Sequence, residues 1–115
     1  MTPRIDRKAN FLDFVPVPQV STETAEDGMT VLLVPKFRRW PFRSLLTHMK
    51  HPNFKIRLDD VGTFIWSRCD GKATVGAIAA DARERFTDKV EPAEERTAVF
   101  VRRLLDARAV RLETR

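Results

Sequence analysis

Apolar residues recur along this chain with two different periods, and the change of period divides it. Up to Leu58 the repeat is short, as strands require, except for one helical stretch within 36–53; beyond Asp59 it lengthens to that of helices. Residues 1–18 mix charges with Phe11, Leu12, Phe14 and Val15, and Pro16 and Pro18 exclude a helix there, which leaves an extended N-terminal arm. Val20 to Thr24 is rich in β-branched residues, Asp27-Gly28 is a turn pair, and Met29 to Val34 is an apolar run stopped by Pro35. Together they predict a β-hairpin. Met29, Val31 and Leu33 face one way and Leu32 and Val34 the other, so both faces of the second strand need cover.

The stretch from Lys36 to Asn53 is longer than a hairpin turn. Pro41 suits a first helical turn, and Phe42, Leu45, Leu46 and Met49 follow at i, i+3, i+4 and i+7, which predicts a short amphipathic helix. After Pro52, the run Phe54-Lys55-Ile56-Arg57-Leu58 alternates apolar with basic residues, the mark of a third strand with one covered and one wet face. Asp59 or Asp60 then caps a helix with Val61, Phe64, Ile65 and Cys69 on its inner side and Gly71 after its end. Thr74 caps a second, carrying Val75, Ile78, Ala79, Ala82 and Phe86. A third starts at Pro92, with Glu94 and Glu95 near its positive end, Val99, Phe100 and Leu104 along it, and Arg102, Arg103 and Arg108 toward its negative end. Val110 and Leu112 allow a short closing strand. Three strands followed by three helices make an α+β protein, and its last two helices suit a helix-turn-helix.

Composition narrows the class. At 115 residues and 13.3 kDa the chain fits one domain, here residues 19–115 after the arm, with an insertion at 36–53. No apolar run approaches the roughly 20 residues of a membrane span, and a single Cys69 closes no internal disulfide. The opening residues lack the apolar block of a secretory signal, so a cytoplasmic location is expected. The net charge of +5 is concentrated: Gly28 to Leu58 holds Lys36, Arg38, Arg39, Arg43, Lys50, Lys55 and Arg57 and no acid. Such a field attracts phosphates, anionic lipid or an acidic peptide alike.

Catalysis finds little footing. The chain has no glycine-rich phosphate loop, no CxxC pair and no HExxH, and only His48 and His51 among histidines. Cys69 sits on an apolar helix stripe, where a small buried thiol suffices as explanation, and the Asp59-Asp60 pair is accounted for by capping. No cofactor and no metal are expected. A winged-helix DNA binder is the alternative function, but Glu91, Glu94 and Glu95 stand where phosphates would approach the third helix. The third strand is more suggestive. At a sheet edge its free amides and carbonyls accept an extended peptide as a further strand, with Lys55 and Arg57 attracting acidic side chains; equally, those two charges protect an edge from pairing. Both readings stand open on these residues alone.

The run KIRLDDVGTFIWSRCDGKATVGAIAADARERF, Lys55 to Phe86, resembles the core of the PqqD family, named for a step in coenzyme PQQ synthesis. Val31-Leu32-Leu33-Val34-Pro35 is similar to that family's second strand, and Asn10 to Pro16, NFLDFVP, to the opening of its longer members. The resemblance implies a three-stranded antiparallel sheet on a three-helix bundle with winged helix-turn-helix character. It also implies a non-catalytic element that binds the leader of a ribosomally made precursor peptide between the third strand and third helix and presents it to a modifying enzyme, often of the radical S-adenosylmethionine type. Carried onto this chain, the strand is Phe54, Lys55, Ile56, Arg57 and Leu58, and the helix is Pro92 to Ala107, with Val99, Phe100 and Arg103 chosen for the groove. Two features depart from the shorter members. Asp59 stands where an Asn is usual, and the basic aromatic insertion offers Arg38, Arg39, Trp40, Phe42 and Arg43 for docking a partner.

Overall fold

The caps expected at the two strand-to-helix and helix-to-helix junctions are the points from which the helical half is built. The computed structural model describes residues 10–35 and 53–114. Asp59 accepts a hydrogen bond at Oδ1 from the Gly62 amide at 2.7 Å and starts α1, Asp60–Arg68. Thr74 accepts one at Oγ1 from the Ala77 amide at 3.1 Å and starts α2, Val75–Phe86. Each bond satisfies an amide that the first helical turn leaves without a backbone partner. Helix α3, Ala93–Asp106, follows a 3₁₀ turn, with Glu94 and Glu95 in its first turn and Arg103 in its last. Its bounds fall one residue inside the expected Pro92 to Ala107.

Among the described residues, five strands form two antiparallel sheets. Numbered along the chain they are β1, Phe14–Pro18; β2, Ser21–Thr24; β3, Thr30–Pro35; β4, Asn53–Arg57; and β5, Val110–Thr114. The larger sheet has the order β2-β3-β4, with Leu32 opposite Thr22 on one side and Ile56 on the other. The β2–β3 connection is the expected Asp27-Gly28 turn. Gly28 takes φ +84°, a value side chains disfavour, and Asp27 Oδ1 accepts from the Met29 amide at 3.0 Å. This is an α+β fold of winged helix-turn-helix character, a three-stranded antiparallel sheet against three helices.

The second sheet joins β1 to β5, pairing Phe14 with Thr114 through Pro18 with Val110. Residues 14–18 are thus extended, as two prolines demand, and also laddered, with Phe14, Val15 and Pro16 buried. The same segment meets the helices through the Gly71 amide, which donates to the Pro16 carbonyl at 3.1 Å, and through Leu12, which lies against Gly76. The core gathers Leu32 and Val34 of β3, Leu58, Ile65 of α1, Ile78 and Ala82 of α2, and Val101 and Leu104 of α3. One polar atom is caught inside it: Thr97 on α3 is 1% exposed, and its Oγ1 has no hydrogen-bond partner among the described residues. The short helix expected from Pro41, His48 and His51, and the docking candidates Arg38, Arg39, Trp40, Phe42 and Arg43 lie outside the described residues.

Candidate functional site

Strands β2 and β4 are the two edges of their sheet and both are exposed, but β4 carries the large apolar side chains Phe54 and Ile56 where β2 carries Ser21, Thr22, Glu23 and Thr24. Among the described residues β4 pairs on one side only, with β3, and all of Phe54 to Arg57 is exposed. The ladder fixes which backbone groups are engaged. Leu58 donates its amide to the Thr30 carbonyl at 2.9 Å, so the Thr30–Leu58 pair is hydrogen-bonded. Antiparallel pairs alternate between bonded and unbonded. Leu32–Ile56 and Val34–Phe54 are therefore bonded pairs, whereas Leu33–Lys55 and Val31–Arg57 are not. The amides and carbonyls of Lys55 and Arg57 consequently point away from β3, toward the open edge. On β3's other side the Ala25 amide donates to the Met29 carbonyl at 2.8 Å, the alternation this register requires.

Side chains follow the same period. Phe54, Ile56 and Leu58 share the inner face of the sheet with Leu32 and Val34. Leu32 and Leu58 are buried there, yet Phe54 remains 57% and Ile56 36% exposed, because the helical layer covers β3 and stops short of β4. On α3, Arg96, Val99, Phe100 and Arg103 recur at i, i+3, i+4 and i+7 and make one stripe beside the buried stripe of Ala93, Thr97, Val101 and Leu104. A Cβ built on Gly62 would stand 3.1 Å from the Phe100 ring, so glycine lets α3 approach the first turn of α1, five residues past the end of β4. Val99, the neighbour of that ring, is 52% exposed. The fold thus leaves an apolar face exposed on β4 and a partly exposed apolar stripe on α3, whose Phe100 reaches the helix that follows β4.

The charges are arranged less simply than the sequence suggests. Lys55 and Arg57 lie on the outer sheet face, opposite to Phe54 and Ile56. Lys55 Nζ is 3.1 Å from Glu23 Oε1, and the Arg57 guanidinium pairs with Asp27 Oδ2. On the helix stripe Arg96 donates to the Lys89 carbonyl at 3.1 Å, and Arg103 has no ion pair among the described residues. Arg103 is thus the stripe's available cation. At the start of α1, Asp60 pairs with Lys89, whose hydrogen bond holds the Asp60 carboxyl below its ordinary range.

Of the residues selected from sequence, Phe54 to Arg57 lie on the exposed edge strand with Leu58 buried beside them, and Val99, Phe100 and Arg103 lie on one stripe of α3, whose Phe100 meets Gly62 of α1. Sequence reasoning missed Arg96, although the i, i+3, i+4, i+7 spacing contains it. It also missed Gly62, Glu23 and Asp27, which only the tertiary arrangement makes relevant. Elsewhere the chemistry is quiet. Burial pushes the Cys69 thiol up to about 12, so at neutral pH it is a protonated core group whose Sγ bonds the Ile65 carbonyl at 3.3 Å. Among the described residues no three His, Cys, Asp or Glu side chains group to hold a metal, and no helix is long and apolar enough to cross a membrane. A hollow of about 440 Å³ lined by Phe64, Arg68, Asp81, Glu84 and Arg85 opens on a different side of α1 from Gly62, walled partly by the Arg68–Asp81 pair at 2.5 Å.

Comparison with known proteins places these elements in one unit. The sequence profile described as coenzyme PQQ synthesis protein D (PqqD) matches residues 49–110. No curated protein and no solved structure matches the chain. The matched stretch runs from before β4 through all three helices to the start of β5, so it contains both β4 and the α3 stripe. With more than half of its length matched, and with the edge strand β4 and all three helices inside that match, the chain belongs to the PqqD family.

Proposed function

We propose that the protein is a non-catalytic peptide-binding adaptor that adds the leader of a ribosomally synthesised precursor peptide as a strand beside β4. The family's role is an accessory one in coenzyme PQQ synthesis. The finer reading is carried by one observation: the amides and carbonyls of Lys55 and Arg57 face outward from an edge whose inner side is apolar and exposed. Backbone pairing along such an edge supplies affinity without regard to sequence, and the side-chain surface beside it supplies selectivity. The apolar contributions come from Phe54, Ile56, Val99 and Phe100, while Arg103 offers a cation on the helix side. The bound leader is then presented to a modifying enzyme of the radical S-adenosylmethionine type. The basic aromatic residues Arg38, Arg39, Trp40, Phe42 and Arg43 are the proposed docking surface for that enzyme. A DNA-binding role fits less well, since Glu94 and Glu95 occupy the first turn of α3.

The register supplies a sharp test. Proline at Lys55 removes an outward amide without deleting a β3–β4 bond, whereas proline at Ile56 breaks the ladder itself. Peptides captured from native cytosol by the wild-type protein and identified by mass spectrometry provide the ligand. Lys55→Pro should bind it about tenfold more weakly than Lys55→Ala, the loss of roughly one hydrogen bond. Equal affinity of the two folded variants would remove strand addition as the mechanism.

A further inference from the structure

The strand-addition reading leaves open which peptides the edge prefers, and the ion pairs on the outer face bear on that question. Lys55 and Arg57 are the residues whose backbone groups face the open edge, yet their side chains turn back from it. Lys55 reaches Glu23 on β2, across the intervening strand β3, and Arg57 reaches Asp27 in the β2–β3 turn. These side chains are 44–64% exposed, and exposed pairs of this kind hold weakly and exchange readily. Neither acid is a ladder neighbour of the cation it holds.

A strand added antiparallel to β4 would set its own residues directly opposite Lys55 and Arg57, with Cα atoms about 5.5 Å apart and side chains on the same outer face. The residues between them would turn inward, toward Phe54 and Ile56. Resting on the strand-addition reading, we infer that Glu23 and Asp27 are built-in competitors for the edge cations, and that the edge selects peptides in which acidic residues alternate with apolar ones. The peptide's acids take Lys55 and Arg57 from Glu23 and Asp27, while its apolar residues pack on the exposed face of Phe54 and Ile56. Neutral peptides gain nothing from the exchange, and the internal acids set the threshold an acidic peptide must exceed.

Three fluorescein-labelled synthetic peptides test this by fluorescence anisotropy on the full chain: one alternating leucine with glutamate, one alternating leucine with glutamine, and one with the first peptide's composition in two blocks. The alternating glutamate peptide should bind about tenfold tighter than the glutamine one at low salt, with the gap narrowing at high salt. The double variant Glu23→Gln, Asp27→Asn should tighten the glutamate peptide about threefold to tenfold and leave the glutamine peptide unchanged. Asparagine retains the oxygen that accepts from the Met29 amide, so the turn is preserved, and matched thermal midpoints verify it. Equal binding of the two alternating peptides, a block peptide that binds as well as the alternating one, or no gain in the double variant would overturn the selection rule and leave strand addition standing. Failure of both alternating peptides to bind would sink strand addition and the rule with it.

Discussion

Strands β3 and β4 lie side by side in one sheet and turn similar apolar pairs to its inner face, Leu32 and Val34 against Ile56 and Phe54, but these meet opposite fates. Leu32 on β3 is fully buried, whereas Ile56, its partner across the ladder, is 36% exposed. Composition does not separate them; position does. The helices cover the middle of the sheet and end before its edge, so β3 anchors the core and β4 offers backbone and apolar surface. Such a division lets an edge be open without loosening the fold, because the contacts that stabilise the domain lie one strand away.

The contrast can be broken most forcefully by truncating each member of the pair. Leu32→Ala should cost about 3 kcal/mol, from lost burial and the cavity left behind. Ile56→Ala should cost under about 1 kcal/mol, because much of its side chain is already in water, yet weaken peptide binding severalfold. Urea denaturation of both variants, read beside peptide titrations, checks the split. Similar stability losses would mean that β4 is as much core as β3. A smaller effect sharpens the picture from the helix side. Thr97→Val replaces a buried hydroxyl without a partner by a methyl group of similar size and should stabilise the protein by about 1 kcal/mol while leaving peptide affinity unchanged. A loss of stability would show that the hydroxyl is satisfied in solution.

Much of this arrangement is written locally. The Asp59 and Thr74 caps, the Asp27-Gly28 turn and the alternation of Phe54 to Leu58 each depend on residues within a few positions of one another, and each is found where the sequence puts it. What the sequence does not reveal is non-local. The β1–β5 ladder joins residues 14–18 to residues 110–114, and neither segment carries a mark of the other. The engagement of Lys55 by Glu23 and of Arg57 by Asp27 follows from the order β2-β3-β4, so alternation exposes the two cations but not their acids. For α3, spacing identifies the stripe through Val99, Phe100 and Arg103. Its approach to the first turn of α1 depends on Gly62, which in sequence reads only as a glycine inside a helix.

Amide hydrogen exchange, resolved residue by residue with and without saturating peptide, bears most directly on the edge of β4. In the free protein the Ile56 amide, bonded to β3, should exchange slowly while those of Lys55 and Arg57 exchange fast. Peptide should slow Lys55 and Arg57 selectively, by tenfold or more for about one added hydrogen bond each. A bound peptide that leaves both amides fast would contradict the addition of a strand at this edge.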